Sequence, residues 1–164
     1  MKLFIIGDGP EKENLQKQIS TLDMEKQIRL CGRIDHDALP PYYHACDLFA
    51  TASLSEMNSI SMLEAMASGL YVLQRLDIYN RAQIVEGENG SLFETKEQFA
   101  ALLDEESALS PDQRLRRKQT VTLSTKRYGQ KEFLSAVLSV YDQALYKYNS
   151  SKKQKKFHFL SNEK

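Results

Sequence analysis

A polar segment at residues 51–64 carries residues whose types and spacing could bind a ligand. It holds two carboxylates, Glu56 and Glu64, and the second lies within a helix predicted over residues 59–68. The first N–H groups of a helix have no partner inside it, and the partial positive charge at that end favours a phosphate. A carboxylate repels phosphate but accepts hydrogen bonds from sugar hydroxyls. We therefore expect a diphosphate at residues 58–61 between two hydroxyl-binding carboxylates, the arrangement of a nucleotide sugar.

Simpler interpretations of the same residues stay open. Serine and asparagine residues before a helix are most often caps, and two glutamates eight positions apart are common by chance. The glycines at residues 7–10 lack the G-x-G-x-x-G pattern and the lysine of a P-loop, which indicates a tight turn. We interpret His36 and His44 as surface residues, and Tyr42 and Tyr43 as packing a short helix against the sheet.

Apolar runs and helical periodicities predict the elements that position this segment. Strands are predicted at residues 2–6, 28–31, 48–52, 71–73 and 91–93. Helices are predicted between them at residues 11–22, 40–45 and 59–68, with a loop and short helix at 77–85. This alternation indicates an α/β fold with a parallel sheet covered by helices on both faces. Ligands of such sheets bind beyond the carboxyl ends of the strands, where residues 51–64 lie.

Beyond residue 93 the pattern predicts helices alone, at residues 96–109, 111–126 and 130–148. Residues 150–164 are polar, and five lysines against one glutamate give them a net charge of +4. We therefore expect one domain over residues 1–149 and a basic, disordered tail over residues 150–164.

The composition excludes several classes of protein. The 164 residues contain 22 Lys plus Arg and 22 Asp plus Glu, a balance that excludes a globally basic nucleic-acid binder. With 41% hydrophobic and 27% charged residues, the chain is typical of a soluble globular domain. Cys31 and Cys46 match no metal-ligand spacing, which predicts buried thiols of a reducing cytosol and no metal. No apolar run approaches the roughly 18 residues of a membrane-spanning helix.

Four motifs, in order, resemble the carboxyl-terminal, donor-binding half of retaining glycosyltransferases of the type called glycosyl transferases group 1. They are FIIGDGP at residues 4–10, IRLCGRI at 28–34, the run at 53–69 with both glutamates, and VEGENGSLF at 85–93. The resemblance covers roughly residues 3–148. It implies half of a two-Rossmann-domain (GT-B) fold, a UDP-sugar donor, transfer with retained anomeric configuration, and no metal or other cofactor.

The resemblance also implies roles for single residues. Glu56 resembles the first glutamate of the family's paired motif, which faces the donor sugar, and is the candidate catalytic residue. Glu64 resembles the second glutamate, which binds the nucleotide ribose. The other donor-binding candidates correspond to the helix start and to the loop beside the base: Asn58, Ser59, Ile60, Ser61, Gly32 and Arg33.

Three positions depart from the family pattern. Met57 and Ser59 stand where the family usually has glycines, and Tyr71 replaces the usual proline. These departures motivate an alternative function, a non-catalytic glycosyltransferase-like module that binds a partner or a sugar nucleotide without transfer. A related two-domain epimerase of sugar nucleotides is a third interpretation.

In the family, the first strand of this domain and the whole acceptor domain precede the residue that Met1 matches. That strand brings the Arg and Lys that neutralise the diphosphate. We therefore expect the missing acceptor domain to be a partner of this domain, and residues 1–164 alone to be inactive.

The acceptor is indicated only weakly. Residues 74–77 and the lysine-rich tail resemble Gram-positive diacylglycerol glucosyltransferases, which implies a glycerolipid or cell-envelope acceptor. Basic residues near an anionic leaflet contribute about 1 kcal/mol each. We therefore expect a cytoplasmic protein that binds the inner face of the membrane through residues 152–156, with a merely solvated tail as the equal alternative.

Overall fold

The structure is a computed structural model that describes residues 1–54, 59–76, 78–79 and 81–161, with residues 151–161 as backbone alone. The chain divides into two units, one ending at Leu123 and one beginning at Ser124. The domain boundary expected at residue 149 stays a prediction.

The first unit alternates strands and helices, in close agreement with the sequence-based prediction. Its elements are β1 (Leu3–Ile6), α1 (Lys12–Thr21), β2 (Ile28–Gly32), α2 (Pro40–Ala45), β3 (Leu48–Thr51), α3 (Ile60–Ala67), β4 (Tyr71–Arg75), β5 (Gly90–Phe93), α4 (Lys96–Ser107) and α5 (Pro111–Ser124). Short 3₁₀ turns at His36–Ala38 and Arg81–Gln83 follow β2 and β4.

All strand pairs are parallel, as predicted for an α/β fold. β1 pairs with β2, and β4 pairs with β3 on one side and β5 on the other. Within the described ranges the strands thus form two sheets, of two and three strands, where one sheet was predicted. β1 and β3 each have one edge without a partner strand there. In the doubly wound order 3-2-1-4-5-6, the two sheets correspond to the groups 3-2 and 4-5-6.

The core lies around β4. Its first four residues are buried, as expected of a central parallel strand covered on both faces. α3 and α5 contribute to the same cluster, whose buried members are Met62, Met66, Tyr71, Val72, Leu73, Ile84, Phe93 and Val121. The Arg117 guanidinium of α5 lies 4.3 Å from the centre of the Tyr71 ring and pairs with the buried Glu106. These contacts fix α5 against β4 and against α4, which carries Glu106.

A Schellman motif ends α3 and turns the chain into β4. The Leu70 N–H donates to the Ala65 carbonyl at 3.0 Å, and the Gly69 N–H donates to Met66 at 2.9 Å. Gly69 has φ +87°, a conformation that disfavours other residues. The helix end predicted from this glycine is therefore confirmed.

The second unit contains a 3₁₀ turn at Thr125–Tyr128 and the long helix α6 (Gln130–Ser161). α6 continues past its predicted end at residue 148 and through much of the stretch predicted to be disordered. The Lys and Gln residues of this stretch are good helix formers, and it lacks the Gly or Pro that would stop a helix. Within the described ranges, none of the helices is both long and apolar enough to cross a membrane.

Candidate functional site

The candidate site lies where β3 ends and α3 begins. β3 ends at Thr51, and Ser59 occupies the N-cap position of α3 with an extended backbone, φ −77° and ψ 108°. Residues 55–58 lie outside the described residues, and with them the predicted Glu56 and Asn58. The structure thus describes the helical half of the predicted site.

Within the described ranges, the amino-terminal end of α3 has neither a cap from the side chain at its N-cap position nor an acidic residue in its first turn. Ser59 is buried, but its side chain makes no capping hydrogen bond, and the first turn carries no acidic residue. Its hydroxyl instead lies 3.2 Å from that of Ser61. The Ser59 side chain therefore does not cap the helix, and the alternative that Asn58 does lies outside the described residues. Ile60 and Ser61 are exposed residues at this end.

A buried polar framework supports this helix end from behind. The Ser59 N–H donates to Oε1 of Gln83 at 3.4 Å. Asn89, which is fully buried, donates through Nδ2 to the Gln83 carbonyl at 3.1 Å and accepts from the Val85 N–H at 2.7 Å. The motif at residues 85–93 therefore positions the start of α3 indirectly. Sequence reasoning assigned no role to Gln83, although the motif that holds it was recognised.

Glu64 lies on α3 with its side chain 28% exposed. Oε2 of Glu64 accepts a hydrogen bond from the Tyr43 hydroxyl at 3.2 Å. The other carboxylate oxygen, Oε1, lies 3.6 Å from Nε2 of His36. Burial, and then the charge and hydrogen bond of Glu64, raise the pKa of Tyr43 to about 12. Tyr43 is therefore a protonated donor at neutral pH.

Sequence reasoning missed both of these contacts. Tyr42 packs on β1, with its ring edge-on to Phe4 and the centroids 6.2 Å apart, as predicted. Tyr43 was predicted to pack in the same way, but adjacent residues of a helix point in different directions, and Tyr43 reaches α3 instead. His36 is 73% exposed, as a surface residue should be, yet it faces Glu64. No sequence spacing links either residue to Glu64.

Gly32 and Arg33 lie at the carboxyl end of β2, where a ligand of a parallel sheet is expected. Gly32 has φ +68°, its carbonyl accepts from the Gly7 N–H at 2.9 Å, and no atom lies within 4 Å of the position that a β-carbon would take. Arg33 is exposed. The chain that follows Arg33 leads directly to His36, so this loop reaches the Glu64 carboxylate.

The described residues contain no group of three or more His, Cys, Asp or Glu side chains arranged to hold a metal ion. The two cysteines are free and half-buried. Burial, followed by the nearby Asp47 and Cys31, raises the pKa of the Cys46 thiol.

Known proteins share this arrangement of elements. Residues 1–120 match the family described as Glycosyl transferases group 1. The chain belongs to this family.

Two relatives and one solved structure are similar to this chain. The chain is 33% identical over 98 residues to an alpha-monoglucosyldiacylglycerol synthase of Acholeplasma laidlawii, across 60% of this chain and 25% of the synthase. It is 34% identical over 93 residues to a UDP-N-acetylglucosamine–peptide N-acetylglucosaminyltransferase GtfA subunit of Streptococcus gordonii, across 56% of this chain and 18% of that protein. The crystal structure of the GtfA/B complex matches with a TM-score of 0.72 and 26% identity, over 87% of this chain and 29% of the solved chain.

The matched part of this chain thus spans about a quarter or less of the length of these two sequence relatives. The fold predicted from the resemblance, a Rossmann-like half of a GT-B enzyme, is confirmed by the structural match.

Proposed function

We propose that this chain is the donor-binding domain of a retaining glycosyltransferase that transfers a hexose from a UDP-sugar to an acceptor without a metal. The observation that carries the proposal is the start of α3, where the described residues show no cap from the Ser59 side chain, with the Glu64 carboxylate held one turn further on. The start of the helix can bind an anion, and the Glu64 carboxylate can accept hydrogen bonds from hydroxyl groups. The name of the GtfA relative, which specifies a UDP-linked sugar, supports the choice of donor.

In this proposal each part of the site binds one part of the donor. Glu64 accepts hydrogen bonds from the ribose hydroxyls, and the backbone N–H groups of Ile60 and Ser61 bind the diphosphate. Ser59, whose own N–H donates to Gln83, places this helix start beside the donor. We propose that Asn58 contacts the same part of the donor. Glu56 faces the hydroxyls of the transferred sugar, and is the candidate catalytic residue.

The base lies beside the β2 loop, at Gly32 and Arg33. When the glycosidic bond breaks, negative charge builds up on the departing diphosphate. Fixed N–H donors at the start of α3 stabilise that charge, since they need no reorganisation during the reaction.

Binding of UDP-glucose to the intact protein, measured by calorimetry, tests the proposal. Glu64→Ala should weaken binding about tenfold or more, because hydrogen bonds to a charged group are worth roughly 1.5–3 kcal/mol. Glu105→Ala on α4, an exposed glutamate outside the site, is the control and should bind as the wild type does. Unchanged binding in Glu64→Ala would contradict the assignment of the site.

The alternative of a non-catalytic module has less support. One of its motives, the departure at Tyr71, has a structural explanation: the buried hydroxyl of Tyr71 lies 2.8 Å from that of Ser91, and its ring packs on Arg117. A proline at this position would lose both contacts. Absence of any sugar-nucleotide binding by the intact protein would favour the module.

We further propose that a strand preceding β1 completes the sheet and lies between β1 and β3, the place of the first strand in the doubly wound order. In this proposal the family's phosphate-binding cations and an acceptor domain also belong to the intact protein. Residues 1–164 alone should therefore transfer no sugar. Continuing transfer of radiolabelled hexose by these residues would contradict the proposal.

For the acceptor, we propose a membrane glycerolipid and a peripheral position at the inner face of the membrane. The name of the synthase relative and the net charge of +4 over residues 150–164 support it. Co-sedimentation with anionic vesicles should fall when residues 150–164 are deleted from the intact protein. Equal binding with and without residues 150–164 would contradict the proposed membrane role.

A further inference from the structure

The Glu64 carboxylate has the phenol of Tyr43 as a neighbour. The hydroxyl of Tyr43 donates to Oε2 at 3.2 Å across the space between α2 and α3. We infer that Tyr43 is a positioning residue that holds Glu64 in the orientation in which its carboxylate receives the ribose hydroxyls. This inference rests on the function proposed above and adds a residue to its site.

α2 holds Tyr43 in place from the opposite side. The neighbouring Tyr42 packs edge-on against Phe4 of β1, and Nδ1 of His44 lies 2.7 Å from the Pro40 carbonyl. Tyr43 itself is half-buried, which restricts its ring. The phenol is thus a fixed donor that links the carboxylate to the first sheet.

The chemistry of a phenol suits this role better than that of a cation. A carboxylate has about four acceptor positions, and a single hydroxyl donor occupies one of them. Within the described ranges no Lys or Arg forms a salt bridge with Glu64. Such a cation would form a charge-assisted pair and compete with neutral ribose hydroxyls for the same oxygens. Tyr43 fixes the carboxylate through Oε2, and the exposed His36 lies 3.6 Å from Oε1, beyond hydrogen-bond distance, so acceptor positions stay open.

The state of protonation supports the same conclusion. The pKa of Tyr43 is raised to about 12, first by burial and then by Glu64. The hydroxyl therefore keeps its proton, and its ability to donate, throughout the neutral range.

Calorimetry on the intact protein tests the inference with two ligands, UDP and its 2′,3′-dideoxyribose analogue. Tyr43→Phe removes the hydroxyl and keeps the ring. We expect it to weaken UDP binding about tenfold and to weaken binding of the analogue much less, since the analogue lacks the hydroxyls that Glu64 receives. The preference for UDP over the analogue should therefore fall in this variant.

Tyr42→Phe is the matched control, because it removes a hydroxyl from the adjacent residue of the same helix without touching Glu64. Its preference for UDP should equal that of the wild type. In a Glu64→Ala background, Tyr43→Phe should cause no further loss, because the residue acts through Glu64.

Different failures have different meanings. If Glu64→Ala abolishes the preference for UDP while Tyr43→Phe leaves it intact, Tyr43 has no positioning role and the proposed function stands. If Tyr43→Phe weakens both ligands equally, the inference is also overturned, because that is the effect of a general structural loss. If Glu64→Ala itself leaves the preference unchanged, the ribose assignment fails, and with it this inference.

Discussion

Two buried glutamines near the site differ in hydrogen bonding, and this difference predicts substitutions of opposite effect. Gln74 of β4 is fully buried, and neither its amide nitrogen nor its amide oxygen has a hydrogen-bond partner among the described residues. Gln83 is also buried, but its Oε1 accepts from the Ser59 N–H at 3.4 Å. We expect Gln74→Met to stabilise the protein and Gln83→Met to destabilise it.

The expected magnitude follows from the cost of an unpaired buried polar group, about 1–3 kcal/mol. Methionine has a similar volume and no strong donor or acceptor, so Gln74→Met should recover about that much. With a urea dependence of about 2 kcal/mol per molar, the midpoint of unfolding should rise by roughly 0.5–1.5 M. Gln83→Met leaves the Ser59 N–H buried and unpaired, and should lower the midpoint by a similar amount.

The measurement is urea unfolding of the intact protein, followed by circular dichroism, with the wild type and both variants in parallel. A fall in the midpoint for Gln74→Met would refute the reasoning, because it would show that the amide has a stabilising partner. Equal shifts of the same sign in both variants would refute it as well.

Three further predictions concern other contacts. The stability that Tyr43 contributes through its raised pKa should persist up to about pH 10 and be lost as the pH rises toward 12. Ultraviolet titration of Glu64→Gln should show the pKa of Tyr43 lowered only part of the way to its ordinary value, because burial is the larger cause of the shift. Arg117→Ala leaves the buried carboxylate of Glu106 without its ion-pair partner and should lower the free energy of unfolding by roughly 3–5 kcal/mol. A change below about 1 kcal/mol in chemical unfolding would argue against a structural role for the pair. The raised pKa of Cys46 predicts slow alkylation by iodoacetamide at pH 8, and mass spectrometry showing it react as fast as a free thiol would contradict the environment described.

The strands and helices could be predicted largely from the sequence, because their signals are local. Gly69 marked the end of α3, and the apolar run of β4 marked a buried strand. The grouping of strands into two sheets carries no such signal, since strand pairing joins residues far apart in the chain. The length of α6 was underestimated because a lysine-rich stretch is compatible with both a helix and a tail.

The site was predictable in part for the same reason. Glu64 and the start of α3 are a local pattern, and the structure brings them to one end of one helix. Glu56 lies outside the described residues, so its place in the site stays a prediction. Tyr43 and His36 approach Glu64 only through the packing of α2 and the β2 loop against α3, and no spacing in the chain indicates that packing.

A crystal structure of the intact protein with a bound UDP-sugar tests the central claim most directly. We expect the diphosphate against the N–H groups of Ile60 and Ser61, with the ribose hydroxyls on Glu64. A sugar nucleotide bound elsewhere, with the start of α3 in contact only with solvent, would contradict it.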